Sequence, residues 1–263
     1  MFTHNFDPVL LDFGIIAVRW YSLSYIFGIL IGWWYGKKII TRLFGIEKGE
    51  SKLNLFDDLI TYLIVSLVVG GRLGYVFFYN FSYYLSNPLD IFKIWEGGMS
   101  FHGALIGIMV GTFLFSYLRK IKTLIFLDII ACVSPIGIFF GRIANFINGE
   151  LVGKATTVPW AVVFPNVDQI PRHPSQLYEA FFEGLILFFL INTFMSRQNY
   201  KIGKCSYMFL IFYGVFRIIS EFFREPDAHI GYFFGIFSTG MILSIIMVIA
   251  GLMMSNFLKK NEN

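Results

Sequence analysis

The sequence predicts an all-α, polytopic integral membrane protein with seven transmembrane helices. Three observations carry that expectation: a shortage of charge, seven apolar runs of spanning length, and basic residues gathered in alternate loops. Of 263 residues, 56% are hydrophobic and only 14% charged, against about 45–50% apolar and about 25% charged in soluble domains. A chain of this size exposes too much surface for so few charges unless lipid covers much of it. The 19% aromatic content, with 32 Phe, suits lipid-facing helices and interfacial belts.

A span needs about 20 mostly apolar residues. The runs that qualify are Gly14–Tyr35, Leu55–Tyr79, Met99–Leu118, Leu124–Gly141, Gln176–Met195, Cys205–Phe223 and Phe237–Phe257. The first has no cationic n-region or small-residue cleavage site before it, so it reads as a permanent span rather than a signal peptide. Residues 1–263 read as a single transmembrane domain. Its longest polar stretch, residues 148–175, is a small extracytoplasmic loop region.

Orientation follows from the cations. Thirteen basic residues, among them Lys37, Lys38, Arg119, Lys201 and Lys260, fall in the first, third and fifth loops and the C-terminus. Only Lys93, Lys154, Arg172 and Arg224 fall on the other side. The positive-inside rule then places the N-terminus outside and the C-terminus in the cytoplasm. Gly28, Gly32 and Gly36, and again Gly103, Gly107 and Gly111, recur at four-residue spacing. Such stripes predict close helix packing in lipid. Cys132 and Cys205 read as free thiols. The cations form no patch with interleaved aromatics, which argues against a nucleic-acid partner.

Four arginines remain. Arg19, Arg72, Arg142 and Arg217 lie within or at the ends of apolar runs. A centred arginine costs at least about 2.5–3.5 kcal/mol on insertion scales. All four fall toward the outer side of the predicted topology. Each has a local explanation: Arg19 can snorkel to the interface, Arg72 can cap backbone carbonyls, and Arg217 can pair with Glu221 four residues on. Taken together they form an anion site, because the planar guanidinium fork matches phosphate oxygens bidentately.

Polar motifs stand beside these arginines. Gly98–Gly103 opens the third run with Ser100 and His102, an imidazole able to take a proton. The fourth run ends in Gly141–Gly153, where Arg142 and Asn145 share a helix face and Asn148, Gly149, Glu150 and Gly153 follow. Pro171–Glu179 supplies His173, Gln176 and Glu179, with Gln176 and Glu179 facing the bundle. Tyr213, Arg217 and Glu221 form one stripe of the sixth run.

These segments resemble the prolipoprotein diacylglyceryl transferase family. The resemblance runs nearly end to end, through Arg19–Tyr21, Gly70–Tyr75, Gly97–Gly103, Gly141–Gly153, Arg172–Glu179 and Tyr213–Arg224. It implies a bacterial inner-membrane enzyme with its active site toward the periplasm. The implied reaction moves the diacylglyceryl group of phosphatidylglycerol to the lipobox cysteine thiol of a prolipoprotein signal segment. A thioether forms and glycerol phosphate leaves, the first step of lipoprotein maturation. The resemblance implies no cofactor and no metal. It implies His102 as the base for the thiol, Arg142 and Arg217 as the phosphate holders, and Tyr21 as a further catalytic residue. It implies phosphatidylglycerol binding by Arg142, Asn145, Glu150, Gly153, Arg217 and Glu221, with Glu221 orienting Arg217 and Glu150 orienting Arg142. Arg72, Tyr213, His173 and Gln176 are additional candidates.

The rival class is a transporter or flippase, since buried charges also line solute paths. Against it, the charges crowd one side and the sequence shows no internal repeat. A receptor or anchor with structural arginines leaves His102 and Gly141–Gly153 unexplained.

Overall fold

A computed structural model describes residues 2–13, 17–44, 46–94, 97–197, 200–225 and 237–260. For residues 46–53, 78, 101, 102, 105 and 239 it describes the backbone alone. The chain is dominated by helices: α1 (Trp20–Phe44), α2 (Ile46–Phe78), α3 (Phe81–Ser86), α4 (Phe101–Leu118), α5 (Thr123–Asn148), α6 (Ser175–Glu179), α7 (Leu187–Met195), α8 (Lys204–Glu221) and α9 (Thr239–Lys260). A seven-residue π-helical stretch, Ala180–Ile186, joins α6 to α7. Each of the seven apolar runs coincides with helix over most of its length. Among the described residues four helical segments are long and apolar enough to cross a membrane: Asn54–Phe77, Thr123–Asn148, Ser175–Met195 and Gly240–Lys260. Large apolar side chains stay exposed along helix faces, such as Ile106, Met109, Val110 and Phe113 on α4. An extended exposed apolar face marks a surface that something other than water covers.

Two helix boundaries depart from the apolar runs. The predicted start at Gly14 lies outside the described residues. Helix α1 begins only at Trp20, because the preceding segment folds as a hairpin of β2 (Val9–Asp12) and β3 (Ala17–Arg19). Arg19 is therefore an exposed strand residue paired with Val9, outside the helix. Helix α5 runs past Gly141 to Asn148. Its polar last turns stay helical because the Asn145 and Asn148 amides find an acceptor in Glu150. Gly149 then ends the helix at φ +65, a left-handed conformation that favours glycine.

The loop region 148–175 is structured. Strands β4 (Val162–Val163) and β5 (Pro171–Arg172) join the terminal β1 (Phe2–Thr3) in a sheet ordered β1-β4-β5. Strand β1 runs parallel to β4, and β5 antiparallel to it. Val152, Val162 and Phe164 form a small core with Phe146 at the end of α5. His4 anchors the terminal strand there through its Nε2, 2.7 Å from the Phe146 carbonyl.

The chain divides into two compact units, residues 1–36 with 128–263, and residues 37–127. In the second unit α2 packs on α4 through glycines. A Cβ on Gly70 would stand 2.8 Å from the Gly107 Cα, and one on Gly74 2.6 Å from the Gly103 Cα. The stripe on α4 is thus a contact seam. Gly28 of α1 meets Gly137 of α5 in the same way within the first unit, at 2.9 Å.

Arg72 is buried in the second unit, where its guanidinium is spent on backbone. Nε donates to the Ile91 carbonyl at 2.9 Å, Nη2 to Asp90 at 2.6 Å and Lys93 at 3.1 Å, and Nη1 to Gly97 and Gly98. Gly97 and Gly98 both have positive φ, which turns the chain into α4 beneath that side chain. Lysine cannot span these carbonyls with one ammonium. Arg72→Lys is expected to destabilise the 88–98 segment by about 1.5–3 kcal/mol, the worth of a charged hydrogen bond. Hydrogen exchange over that segment, against α9 as reference, measures the effect.

In the first unit Asp128, fully buried on α5, holds the start of α8. Its carboxylate accepts from Gly203 N at 2.6 Å, Ser206 N at 2.7 Å, Ser206 Oγ at 2.6 Å and the Tyr200 hydroxyl. A carboxylate at a helix N-terminus satisfies donors that the helix leaves open. Cys132 and Cys205 are buried free thiols.

Candidate active site

The first unit gathers three of the sequence-predicted residues, Arg142, Arg217 and Glu221, into one buried ion cluster. Helix α5 presents Arg142, the α6 and π-helical stretch presents Glu179 and Glu183, and α8 presents Arg217 and Glu221. Spacing explains the convergence. Glu179 and Glu183 are four residues apart, as are Tyr213, Arg217 and Glu221, so each set lines one helix stripe. The π-helical stretch lies where the two acids must both face inward, a placement common for such stretches at functional sites.

The contacts interlock. Arg142 Nε lies 2.9 Å from Glu179 Oε2, and its Nη2 3.3 Å from Glu183 Oε2. Arg217 Nη1 lies 2.8 Å from Glu179 Oε1 and 3.4 Å from Glu183 Oε1, while Nη2 pairs with Glu221 Oε1. Arg224 Nη1 reaches Glu179 Oε1 at 3.4 Å. Glu179 and Glu183 have side chains 1% and 0% exposed, so neither can be compensated by water. The arginine side chains are somewhat more open, at 18% for Arg142 and 11% for Arg217. The arginines are thus the less enclosed members of the cluster, and Glu179 and Glu183 the more enclosed. Ser238 closes the back: its Oγ donates to Glu221 Oε2 at 2.8 Å and accepts from Met241 N at 3.1 Å, capping α9.

Asn145, Glu150, Gln176 and Tyr21 make hydrogen bonds of their own in the same unit. Asn145 Nδ2 donates to Glu150 Oε1 at 2.7 Å and Asn148 Nδ2 to the same oxygen at 3.3 Å. Gln176 Nε2 donates to the Glu150 carbonyl at 2.6 Å, and its own Oε1 is buried without a hydrogen-bond partner. Tyr21 accepts from the Tyr25 hydroxyl at 3.0 Å, with the rings edge to face at 5.0 Å. Tyr25 is within electrostatic reach of Arg142 and Glu150, and Tyr213 of Arg142, Arg217, Glu179 and Glu183. Gly153 is a packing position. Its N donates to the His173 carbonyl at 3.1 Å, and a Cβ there would stand 2.7 Å from the Phe223 carbonyl oxygen. His102 lies on α4, and its side chain is outside the described residues. Arg72 belongs to the other unit and is held by carbonyls.

Outside the helices, Asp168 and Arg172 form a surface pair, Nη2 to Oδ2 at 2.6 Å. The Arg172 guanidinium holds the Asp168 carboxyl below the usual carboxylate range. His173 is pushed below the ordinary imidazole value by burial. Trp160 Nε1 donates to the Tyr178 hydroxyl at 2.7 Å, and that hydroxyl lies 3.1 Å from His173 Nδ1. A hydroxyl that accepts from Trp160 is free to donate a hydrogen bond to Nδ1 of the neutral imidazole. A base whose folded pKa is lowered loses stability as pH falls from its unfolded value through the folded one. Acidification below about pH 6.5 is expected to break this relay. Trp160 fluorescence should change with it, and Tyr178→Phe should abolish that change.

The family model described as prolipoprotein diacylglyceryl transferase matches residues 8–257. The chain belongs to the prolipoprotein diacylglyceryl transferase family. A Rickettsia felis relative named phosphatidylglycerol–prolipoprotein diacylglyceryl transferase is 51% identical over 249 residues, covering 94% of this chain and 95% of its own. A Methylocella silvestris protein of the same name is 48% identical over 258 residues, covering 97% and 95%. One from Brucella anthropi is 49% identical over 253 residues, covering 94% and 90%.

Within this family member, two expectations about partners change. Arg142 is oriented by Glu179 and Glu183, not by Glu150, whose side chain is taken by the two asparagine amides. Arg224 lies in the loop after α8, but it is buried there and reaches Glu179. Glu221 does pair with Arg217. Glu183 and Arg224 were missing from the predicted site, and Glu179 was placed facing the bundle without a role in it. Two acids four apart inside an apolar run were the signal for the glutamates, the same kind of anomaly that singled out the arginines.

Proposed function

We propose that this chain transfers the diacylglyceryl group of phosphatidylglycerol to the lipobox cysteine thiol of a prolipoprotein. Membership of the family across nearly the whole chain carries this reading, and the cluster of Arg142 and Arg217 gives it a chemistry. The thiolate sulfur attacks the glyceryl carbon that bears the phosphate. A carbon–sulfur bond forms, the carbon–oxygen bond breaks, and the oxygen keeps the electron pair as glycerol phosphate departs. Charge on that oxygen grows through the transition state, and preorganised cations in a water-poor site are suited to meet it. Arg142 and Arg217 hold the phosphate, each positioned by buried carboxylates. Asn145, Glu150, Gln176 and Gly153 shape the wall beside them, and Tyr21 and Tyr213 line it. The thiol, with an ordinary pKa near about 8.5, must lose its proton to act. His102 is the base in this reading, and the family resemblance supports it.

The topology belongs to the same proposal. One transmembrane domain spans the inner membrane seven times, with the N-terminus and residues 148–175 on the periplasmic side and the C-terminus in the cytoplasm. The distribution of thirteen cations against four supports it. Both substrates are then membrane-embedded and reach the site at one face.

A dual-label assay tests the reaction. Phosphatidylglycerol labelled in an acyl chain should pass its label to a lipobox peptide, while label in the headgroup should appear as water-soluble glycerol phosphate. Both labels arriving on the peptide, or neither, would exclude the reaction.

A further inference from the structure

Among the described residues, the buried cluster holds three arginines, Arg142, Arg217 and Arg224, and three glutamates, Glu179, Glu183 and Glu221. With every group ionised it is neutral. The inference here rests on the function proposed above, in which a phosphodiester docks on Arg142 and Arg217. That phosphate brings one further negative charge into a neutral, largely buried site. An uncompensated buried charge is costly, and proteins usually avoid it by a change of protonation.

The contacts identify the group that changes. Glu179 binds Arg142 at 2.9 Å and Arg217 at 2.8 Å, and also reaches Arg224. Glu221 keeps its Arg217 contact and accepts from Ser238 Oγ. Glu183 is 0% exposed, and its two ion contacts are the longer ones, 3.3 Å to Arg142 Nη2 and 3.4 Å to Arg217 Nη1. Arg217 Nη1 is held more closely by Glu179, at 2.8 Å, so Glu183 is the more weakly held acid of the two, and a phosphate oxygen bridging the two forks displaces Glu183 first. The other groups around Glu183 offer no better acceptor. Tyr213 on α8 and Tyr25 on α1 are phenols, already protonated near neutral pH. Glu150 at the end of α5 is engaged by two asparagine amides.

We propose that Glu183 takes up a proton when the lipid phosphate docks on Arg142 and Arg217, so that it is neutral in the lipid-bound protein. The proton comes from solvent and adds to a carboxylate oxygen. No bond of the lipid changes in this step. Glu183 is thus a charge-compensating group of the lipid site, acting through the two arginines.

The test is the pH dependence of phosphatidylglycerol binding to the purified full-length chain in micelles of an uncharged detergent. The range runs from about pH 6 to about pH 9, where neither arginine nor a phosphodiester titrates. Wild-type affinity is expected to fall about tenfold per pH unit over part of that range, the slope of one coupled proton. Glu183→Gln, permanently neutral, should bind with a flat profile and more tightly than wild type at the alkaline end. A glutamate with a merely structural role would instead lose binding at every pH when replaced, and that result overturns the proposal. Equal slopes in the two proteins also overturn it while leaving the functional reading intact. Absence of wild-type binding at any pH would overturn the functional reading itself. Calorimetry on wild type alone, in buffers of different ionisation enthalpy, provides a check that needs no variant. Close to one proton taken up per lipid supports the proposal, and none contradicts it.

Discussion

Arg142→Lys is expected to slow diacylglyceryl transfer by about 10²–10³-fold, the usual cost of removing one donor from a preorganised electrostatic site. The substitution keeps the charge and removes the fork. Arg142 uses two different nitrogens on two different carboxylates, Nε on Glu179 and Nη2 on Glu183. That double anchoring fixes the plane of the guanidinium. An ammonium on a flexible stem can satisfy one carboxylate at a time, so its position at the phosphate is no longer set. Lysine still offers a charge to Glu179, so the fold should survive. Initial rates with phosphatidylglycerol and a lipobox peptide, alongside thermal unfolding in detergent, separate the two effects. A rate equal to wild type would remove Arg142 from the phosphate site.

Glu179→Gln is expected to cost about 3–5 kcal/mol of stability, the penalty typical of removing one partner from a buried ion pair. Glu179 is shared by Arg142, Arg217 and Arg224, and its side chain is 1% exposed. Loss of its charge leaves three guanidinium groups around a neutral amide, with no water to take over. Chemical or thermal unfolding in lipid–detergent micelles measures the loss. The neighbouring Glu183 has longer contacts, and the same change there should be milder once lipid is bound. A stability loss at Glu179 no larger than that at Glu183 would contradict the ranking of the two acids.

The helical plan was legible because apolar runs of spanning length have few alternatives in a chain with so few charges. Every run became helix over most of its length, and the glycine stripe at Gly103 and Gly107 became the seam between α2 and α4. What sequence reasoning missed was short or long-range. The β2–β3 hairpin spans only a few residues, too few for a period of two to stand out from an apolar run. The sheet of β1, β4 and β5 depends on the terminus returning to residues 162–172, which no local pattern announces. In the site, arginine stands out because it is costly in an apolar run, and the structure brings Arg142 and Arg217 into one ion cluster. The same rule applied to acids would have raised Glu183 and Asp128. Arg72 shows the limit of the rule: it is as anomalous in sequence as Arg142, but its guanidinium holds five backbone carbonyls. Only the fold separates an arginine held by backbone carbonyls from one held among buried carboxylates.

The central claim is that Arg142 and Arg217 together hold the lipid phosphate. Solid-state NMR on protein carrying ¹⁵N-labelled arginine, reconstituted with phosphatidylglycerol, reads the ³¹P–¹⁵N distance directly. The account predicts dephasing of the lipid phosphorus by guanidinium nitrogens at contact distance, lost when Arg142 and Arg217 are both replaced by lysine. Lipid bound with no such dephasing, or with dephasing unchanged in the double variant, would contradict it.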